Sequence, residues 1–378
     1  MSTLTGRIFT NNHFINGTIE FDNTISEISE SLIATDCASA YIIPGLIDIH
    51  THGALGYDAL DADYTALKQM SGYYAHNGVT SFCPTLATAS IDSLCKASKA
   101  IADYASEQAT VNNHESRILG INLEGPFLSP RKAGAHNPSL LSLPSVEKFE
   151  RISAHADGMI KLITVAPELE GAMDFIDRMK RLYPTITVSI GHTAADYDTT
   201  ASAIEHGASH MTHLYNCMEQ IHSREPGPIL AALDSEFMPY AELITDGYHI
   251  SPAVVRMTSK LWGNRLILIS DSLSCAGMPD GDYSLSNLAV TLQDGVAHLK
   301  GSDTIAGSSI SLMEGLRRAY RYGMKLEAAI QSATINPAMA IGCNDLLGSL
   351  EAGKRADMVV LDSDLNILDV YIDGIRIQ

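Results

Sequence analysis

Residues 42–52 decide the fold: they read Ile-Ile-Pro-Gly-Leu-Ile-Asp-Ile-His-Thr-His. The run Ile42–Ile49 is rich in β-branched side chains, which predicts a buried strand. His50 and His52 follow it two residues apart, so both side chains point to the same face of an extended chain. The stretch therefore predicts a strand whose end carries two imidazoles that can share one ion.

Similar apolar runs recur through the middle of the chain and alternate with helical patterns. The further predicted strands are Val79–Leu86, Ile118–Glu124, Ile160–Ala166, Ile186–Gly191, Ala208–His213, Ala241–Thr245 and Leu266–Asp271. The predicted helices are Thr65–Asn77, Ile91–Gln108, Val146–Ala156, Gly171–Leu182 and Thr199–His206. Eight strands in alternation with helices predict an α/β fold, a (β/α)8 TIM-like barrel.

The two ends of the chain have a different pattern. Short strand-like segments separated by turn residues occur at Arg7–Thr10, Gly17–Phe21, 356–362 and 370–374. They predict a small β-sandwich domain built from both chain termini, residues 1–43 and 345–378. The barrel would then span residues 44–344, with a β-hairpin insertion at about 281–303, where the alternation of strands and helices breaks.

Composition excludes several classes of protein. The chain has 378 residues, 46% of them hydrophobic and 18% charged, so a disordered or fibrous protein is excluded. A net charge of −19 argues against nucleic acid or an anionic membrane as the main partner. No apolar run approaches the ~20 residues of a membrane span, and the N-terminus lacks an apolar signal core, which predicts a cytoplasmic protein. The six scattered cysteines contain no CxxC pair, so neither a disulfide framework nor a cysteine zinc site is expected.

Ionisable side chains stand at the ends of the predicted strands. Six of the eight strands end in, or are followed by, a histidine or a carboxylate: His50 with His52, Glu124, His192, His213, His249 and Asp271. Barrel enzymes place their active sites at the carboxyl ends of the strands. A lone HxH pair or strand-end glutamate carries little weight, but the joint pattern predicts a metal centre, because neutral imidazole and carboxylate suit zinc, iron or manganese.

The residue types suggest how such a centre would be shared. His50 and His52 can hold one ion, and Glu124 can bridge two ions with its two oxygens. His192 and His213 would hold the second ion. Asp271 can contact a metal and still reach the water bound to it, which is the position of a general base.

Several longer motifs support a family resemblance. They are Pro44–Gly53, Leu123–Phe127, Lys132–His136, Gly191–Thr193, Thr212–Asn216, Arg224–Gly227, Asp246–His249, Ser270–Asp271, Ala306–Ser309 and Leu347–Asp357. Their order resembles the amidohydrolase superfamily and, more narrowly, its family of N-acetylglucosamine-6-phosphate deacetylases. The resemblance covers nearly the whole chain.

The resemblance implies a role for each matching residue. It implies a metal on Glu124, His192 and His213, a second position at His50 and His52 that only some members fill, and Asp271 as the catalytic aspartate. His136 matches a histidine close to the reacting acetamide. The positions that match substrate contacts are Ala135, Asn216, Cys217, Arg224, His249, Ile305, Ala306 and Gly307.

The implied cofactor is one or two divalent ions, with zinc favoured over iron, manganese or cobalt. The implied partner is a phosphorylated N-acetyl amino sugar, with no nucleic acid and no membrane. In the family an arginine at the Arg224 position reaches into the neighbouring subunit's site, which implies a homodimer.

Three alternatives remain open from the sequence. Cys217 stands where the family commonly has a smaller residue, so the substrate could instead be the galactosamine epimer. A cyclic-amide hydrolase would carry a lysine at the rim on strand four, whereas Lys161 opens that strand at its other end. A catalytically dead barrel would have lost metal ligands, and here the whole set is present.

Overall fold

The computed structural model describes residues 1–31, 40–110, 114–286 and 288–377. In chain order the strands are β1 (Ser2–Thr10), β2 (His13–Phe21), β3 (Ile25–Glu30), β4 (Tyr41–Pro44), β5 (Leu46–Thr51), β6 (Gly53–Ala54), β7 (Tyr57–Asp58), β8 (Val79–Ala87), β9 (Arg117–Ile118), β10 (Ile121–Glu124), β11 (Ile160–Val165), β12 (Thr187–Ile190), β13 (His210–Met211), β14 (Tyr240–Ile244), β15 (Leu266–Ile269), β16 (Gly281–Leu285), β17 (Leu288–Gln293), β18 (Val296–Leu299), β19 (Met358–Leu361), β20 (Ile367–Ile372) and β21 (Ile375–Arg376). The helices are α1 (Tyr64–His76), α2 (Ile91–Gln108), α3 (Val146–Ser153), α4 (Ala172–Leu182), α5 (Tyr197–His206), α6 (Gly227–Asp234), α7 (Pro252–Trp262), α8 (Leu312–Arg321), α9 (Leu326–Ala333) and α10 (Ile335–Ala340).

The central element is a parallel barrel, as predicted. Its strands follow the order β5, β8, β10, β11, β12, β13, β14 and β15. Contacts beyond the last strand join it to the first: the Asp271 N–H donates to the His50 carbonyl at 2.9 Å, and the Ser270 N–H donates to Asp48 Oδ1 at 3.3 Å. The carboxyl ends of the strands therefore meet at one rim.

Helix α2 shows why the helices between the strands could be predicted. Ser90 precedes it, and its side chain accepts a hydrogen bond from the Ser93 N–H, which satisfies an unpaired amide at the helix start. Leu94, Ile101 and Tyr104 lie on its buried face. The structure has this helix with the predicted bounds, and the other predicted helices lie within a few residues of theirs.

The first predicted strand, Ile42–Ile49, is wrong as one element. It is two strands: β4 pairs with β1 and β19 in the terminal sheet, and β5 belongs to the barrel. The chain passes from one sheet to the other at Pro44 and Gly45. A Cβ at Gly45 would lie 2.1 Å from Thr80 Oγ1, so this crossing requires glycine.

Both chain termini contribute to one sheet, in the order β21, β20, β19, β4, β1, β2, β3. Its apolar face includes the buried Ile8, Phe21 and Met358. Arg117 connects this sheet to the barrel, donating to Asp357 at 2.9 Å and to Asp373 at 2.6 Å. At the rim, β16, β17 and β18 form a separate three-stranded antiparallel sheet.

Two further features are the state of the cysteine thiols and the length and apolar character of the helices. Cys83, Cys95, Cys217, Cys275 and Cys343 are free thiols, while Cys37 lies outside the described residues. Among the helices of the described ranges, none combines the length and the apolar character needed to cross a bilayer.

Candidate metal centre and active site

Glu124 is the last residue of β10 and the centre of the site. Its Oε1 lies 2.8 Å from His213 Nε2 and 3.2 Å from His192 Nε2, and the two Nε2 atoms are 3.0 Å apart. Ligands around a tetrahedral zinc ion are about 3.3 Å from one another. These three atoms therefore fit one face of a tetrahedral site.

A second group of donors lies beside the first. His52 Nε2 is 3.3 Å and His50 Nε2 is 3.6 Å from Asp271 Oδ1. Glu124 joins the groups, because its Oε1 lies 3.5 Å from His50 Nε2 and its Oε2 lies 3.1 Å from His52 Nε2. His50 Nε2 is buried and has no hydrogen-bond partner in the part of the chain that the structure describes. A buried nitrogen that faces two carboxylates without donating to either fits a cation ligand.

Strained backbone at the strand ends aims several of these side chains. His192, His213 and Asp271 have φ angles of 45°, 25° and 49°, a region that residues other than glycine seldom adopt. Such conformations persist only where the surrounding structure enforces them, and they cluster at functional sites. Each of the three lies two residues after the end of its strand. The chain therefore turns there and points the side chain into the rim.

The imidazole rings are oriented from behind. His192 Nδ1 lies 2.9 Å from the Lys132 carbonyl oxygen, and His52 Nδ1 lies 3.2 Å from that of Thr85. Each contact places the ring proton on Nδ1 and leaves the Nε2 lone pair facing Glu124. Histidines that bind metals are oriented by partners of this kind.

The charged groups of the site offset the effect of burial on the pKa values of its carboxylates. Burial alone would raise the pKa of Glu124, but the imidazoles, His50 and His136 foremost, hold it well below its ordinary value. Burial also acts to raise the pKa of Asp271, and contact with His52 and His50 lowers it overall. Both carboxylates are therefore ionised, as metal ligands and a general base must be.

His136 differs from the other histidines. Burial is the main cause that lowers its pKa to about 4, so the ring is neutral near pH 7. Its Nδ1 accepts a hydrogen bond from the Thr88 N–H at 3.2 Å, which leaves the proton on Nε2. That N–H faces the site, 3.4 Å from Glu124 Oε2. His136 is thus a hydrogen-bond donor to whatever enters the pocket.

A pocket opens above these residues at the rim. Of the predicted substrate contacts it is lined by Ala135, Asn216, Cys217, His249, Ile305 and Gly307. Ala306 is fully buried and does not line it, and Arg224 is exposed and does not reach it. Of the predicted metal ligands, His50 lies below the floor and the others line the pocket.

The sequence over residues 41–376 matches the amidohydrolase family. The chain belongs to the amidohydrolase family. It is 36% identical to the N-acetylglucosamine-6-phosphate deacetylase of Vibrio furnissii, over 88% of this chain and 82% of that protein. It is 34% identical to an N-acetylgalactosamine-6-phosphate deacetylase of Escherichia coli O157:H7, over 90% of this chain and 88% of that protein.

A solved structure is similar over the whole amidohydrolase chain. It is that of a mutant N-acetyl-D-glucosamine-6-phosphate deacetylase from Mycobacterium smegmatis in complex with N-acetyl-D-glucosamine-6-phosphate. The two superpose with a TM-score of 0.92 and 32% identity, covering 99% of this chain and 98% of that one.

Lys161 argues against the cyclic-amide alternative within this family. It is the second residue of β11, at the end of the strand away from the pocket. No lysine lines the pocket among the described residues, so a carboxylated lysine cannot bridge two ions there. Glu124 instead lies between the two groups of donor atoms.

Sequence reasoning missed several residues of the amidohydrolase site. Tyr248, Leu273 and Leu285 line the pocket; Tyr248 lies within the Asp246–His249 motif, whereas no sequence pattern distinguishes the two leucines. No sequence pattern singles out Glu168 either, yet it accepts hydrogen bonds from the Thr193 hydroxyl and the Ala194 N–H, both at 2.6 Å. These contacts hold the loop that follows His192.

Glu242 is the most consequential omission. It is 1% exposed and hydrogen-bonded to His50 and His210. A signal was present, since a glutamate interrupts the otherwise apolar end of the strand Tyr240–Ile244. A charge inside a buried strand requires a buried partner.

Proposed function

We propose that the protein is a metal-dependent deacetylase that hydrolyses N-acetylglucosamine 6-phosphate to glucosamine 6-phosphate and acetate. The observation that carries this proposal is the convergence of His50, His52, His192 and His213 on Glu124, with Asp271 beside His50 and His52, at the base of one pocket. The names of the Vibrio furnissii and Mycobacterium smegmatis proteins supply the substrate.

The donor set suits one or two divalent ions. Glu124, His192 and His213 would hold one ion, and His50, His52 and Asp271 would hold a second. Nitrogen and carboxylate donors favour zinc, with iron, manganese or cobalt as alternatives. When bound, such an ion lowers the pKa of a coordinated water toward about 7 and polarises a carbonyl group.

The protein's own groups would move the protons. Asp271 would accept a proton from the attacking water and deliver it to the amine nitrogen as the carbon–nitrogen bond breaks. The Nε2–H of His136 would donate to the acetyl oxygen while that oxygen gains negative charge. Both groups are buried, so few water molecules compete with these contacts.

The sugar phosphate would require positive charge that the pocket itself does not supply. No lysine or arginine lines it within the described part of the chain. His249 lines it, and Asp246 Oδ2 lies 2.7 Å from its Nδ1, which leaves Nε2 free to contact a ligand. Arg224 is exposed on the loop before α6. We infer a homodimer in which this guanidinium reaches the neighbouring pocket and grips the phosphate with its planar fork.

A direct test is to measure acetate release from N-acetylglucosamine 6-phosphate by the purified protein, with metal content determined on the same sample. We expect turnover that is lost on chelation and restored by zinc. A sample that contains metal and releases no acetate would contradict the proposal.

The galactosamine epimer is a second candidate substrate. It is favoured by the Escherichia coli relative, whose identity to this chain nearly equals that of the Vibrio furnissii protein. Cys217 lines the pocket and can bear on the choice between the epimers. Measuring kcat/KM for both epimers side by side decides between them.

The phosphate role of Arg224 has its own test. Replacing it in Arg224→Ala removes charge-assisted hydrogen bonds of about 1.5–3 kcal/mol, so KM for the phosphorylated sugar should rise roughly 10- to 100-fold. KM for the unphosphorylated N-acetyl sugar should stay within about twofold of its original value. Arg256→Ala, at another exposed arginine, is the matched control. Equal increases for both sugars would refute the phosphate role.

A further inference from the structure

Glu242 lies in the middle of β14, buried below the floor of the pocket. Its Oε2 is 2.8 Å from His50 Nδ1 and accepts a hydrogen bond from the His213 N–H at 3.0 Å. Its Oε1 lies 3.1 Å from His210 Nε2. Glu242 does not line the pocket, so it touches neither the substrate nor the reacting atoms.

The contact with His50 fixes the state of that ring. An ionised carboxylate can only accept, so the ring proton must be on Nδ1. In the neutral ring, which is the form that binds a metal, Nε2 then carries the lone pair, and among the described residues this atom has no hydrogen-bond partner although it faces Glu124 and Asp271. Without Glu242 the proton could move to Nε2, and the ring could no longer serve as a ligand through that atom.

The contact with His213 acts on the main chain. His213 has a φ of 25°, a conformation that needs external support. Its Nδ1 has no hydrogen-bond partner, so the ring is not oriented from behind as His192 and His52 are. The Glu242 hydrogen bond to its N–H is therefore a main constraint on where the His213 side chain begins.

We propose that Glu242 is a positioning residue that ties the two halves of the metal centre together. It sets the tautomer and orientation of His50 in one half and anchors the backbone of His213 in the other. The proposal rests on the metal-dependent function given above. It predicts that metal affinity at the His50 and His52 position depends on a residue that never touches the metal.

A simpler role must be distinguished from this one. Glu242 could be needed only to compensate the buried His210, whose contact is with the other carboxylate oxygen. In that case replacing either partner of the His210–Glu242 pair would weaken the centre equally. The two roles therefore predict different results for His210→Gln, which leaves the contacts of Oε2 in place.

The test measures metal binding rather than turnover. Metal-free wild type, Glu242→Gln and His210→Gln would each be titrated with Zn²⁺ in a calorimeter, and with Co²⁺ followed by visible absorption. We expect Glu242→Gln to raise the Kd for Zn²⁺ at the position of His50 and His52, which we expect to be the weaker of the two, by about 10- to 100-fold. This is the range seen when such supporting partners are removed. We expect His210→Gln to change the same Kd by less than threefold.

Two results would overturn the proposal: both zinc constants of Glu242→Gln within threefold of wild type, or equal weakening in the two variants. If Glu242→Gln does not fold, Glu242→Asp provides the same measurement, since it keeps the charge but shortens the reach to His50 by one methylene. Because wild-type metal content and acetate release are measured separately, a protein that binds zinc without hydrolysing the sugar would count against the function alone.

Discussion

The two halves of the metal centre are built by different means. His50 and His52 stand at the end of a regular strand, β5, or directly after it, and the period of the extended chain alone points them to one side. His192 and His213 follow shorter strands, and backbone in the left-handed region turns them into the rim. The two histidines of one half thus depend on extended strand backbone, and those of the other half on locally strained loops; we call these the regular half and the strained half, although Asp271, which contacts His50 and His52, also has strained backbone.

The supports behind the halves differ as well. The Glu242 carboxylate stands behind His50, whereas a main-chain carbonyl stands behind His192. An ionised acceptor makes the stronger hydrogen bond. The comparison teaches that His50 relies on a buried charge and His192 on the geometry of its own loop, while His213 is anchored through its N–H by the same Glu242 carboxylate.

Asp271 belongs to the regular half but serves the chemistry of both, so its removal should have the largest effect. In Asp271→Asn we expect kcat to fall by about 10²- to 10⁴-fold, because the amide cannot accept the proton from water. The zinc at Glu124, His192 and His213 and the melting temperature should remain near normal. The measurement is kcat on a variant whose metal has been assayed.

The same change at an exposed turn, Asp362→Asn, is the matched control and should leave kcat unaltered. Activity of Asp271→Asn within tenfold of wild type would remove this residue from the mechanism. The difference between the two halves would then bear on metal binding and not on the reaction.

The contrast between the halves also explains what the sequence could predict. Strand ends of a parallel barrel converge whatever the intervening loops do, so a histidine or carboxylate at such an end can be assigned to the rim before the structure is known. Glu124, His192 and His213 were placed together on this ground, and the structure brings them within hydrogen-bonding distance. Their role as ligands stays a prediction.

What sequence reasoning missed depends on contacts between distant segments. Glu242 meets His50 across 192 residues of chain, and the break at Gly45 depends on the close approach of Thr80. Neither of these relations has a sequence period, so local patterns do not disclose them.

The two halves should differ in their affinity for zinc. Donor atoms around Glu124, His192 and His213 are 2.8–3.2 Å apart, and those around His50, His52 and Asp271 are up to 3.6 Å apart, so both spacings lie near the ~3.3 Å of a zinc site. The family resemblance of the sequence implies that only some members fill the position of His50 and His52, so we expect the zinc at Glu124, His192 and His213 to be held at least about tenfold more strongly. Stepwise chelation followed by metal analysis would measure the difference.

Variants that each lack one ligand show which half loses its zinc at which step of the chelation. His50→Asn should lose the weakly held zinc and keep the strongly held one, and His192→Asn should lose the strongly held one. The reverse assignment would show that the position of His50 and His52 is not the weaker one.

The smallest expected effect concerns the strained half alone. Glu168 accepts from the Thr193 hydroxyl and the Ala194 N–H, and so holds the turn that follows His192. Glu168→Gln keeps the shape but replaces one acceptor oxygen with a donor, a loss of about 1 kcal/mol, or roughly fivefold in Kd. This weakening should appear at the position held by Glu124, His192 and His213 and spare the other, whereas Glu242→Gln should act most strongly at the position of His50 and His52. Calorimetric zinc titration resolves both constants, and a change of the same size at both positions would mean that the halves are not supported separately.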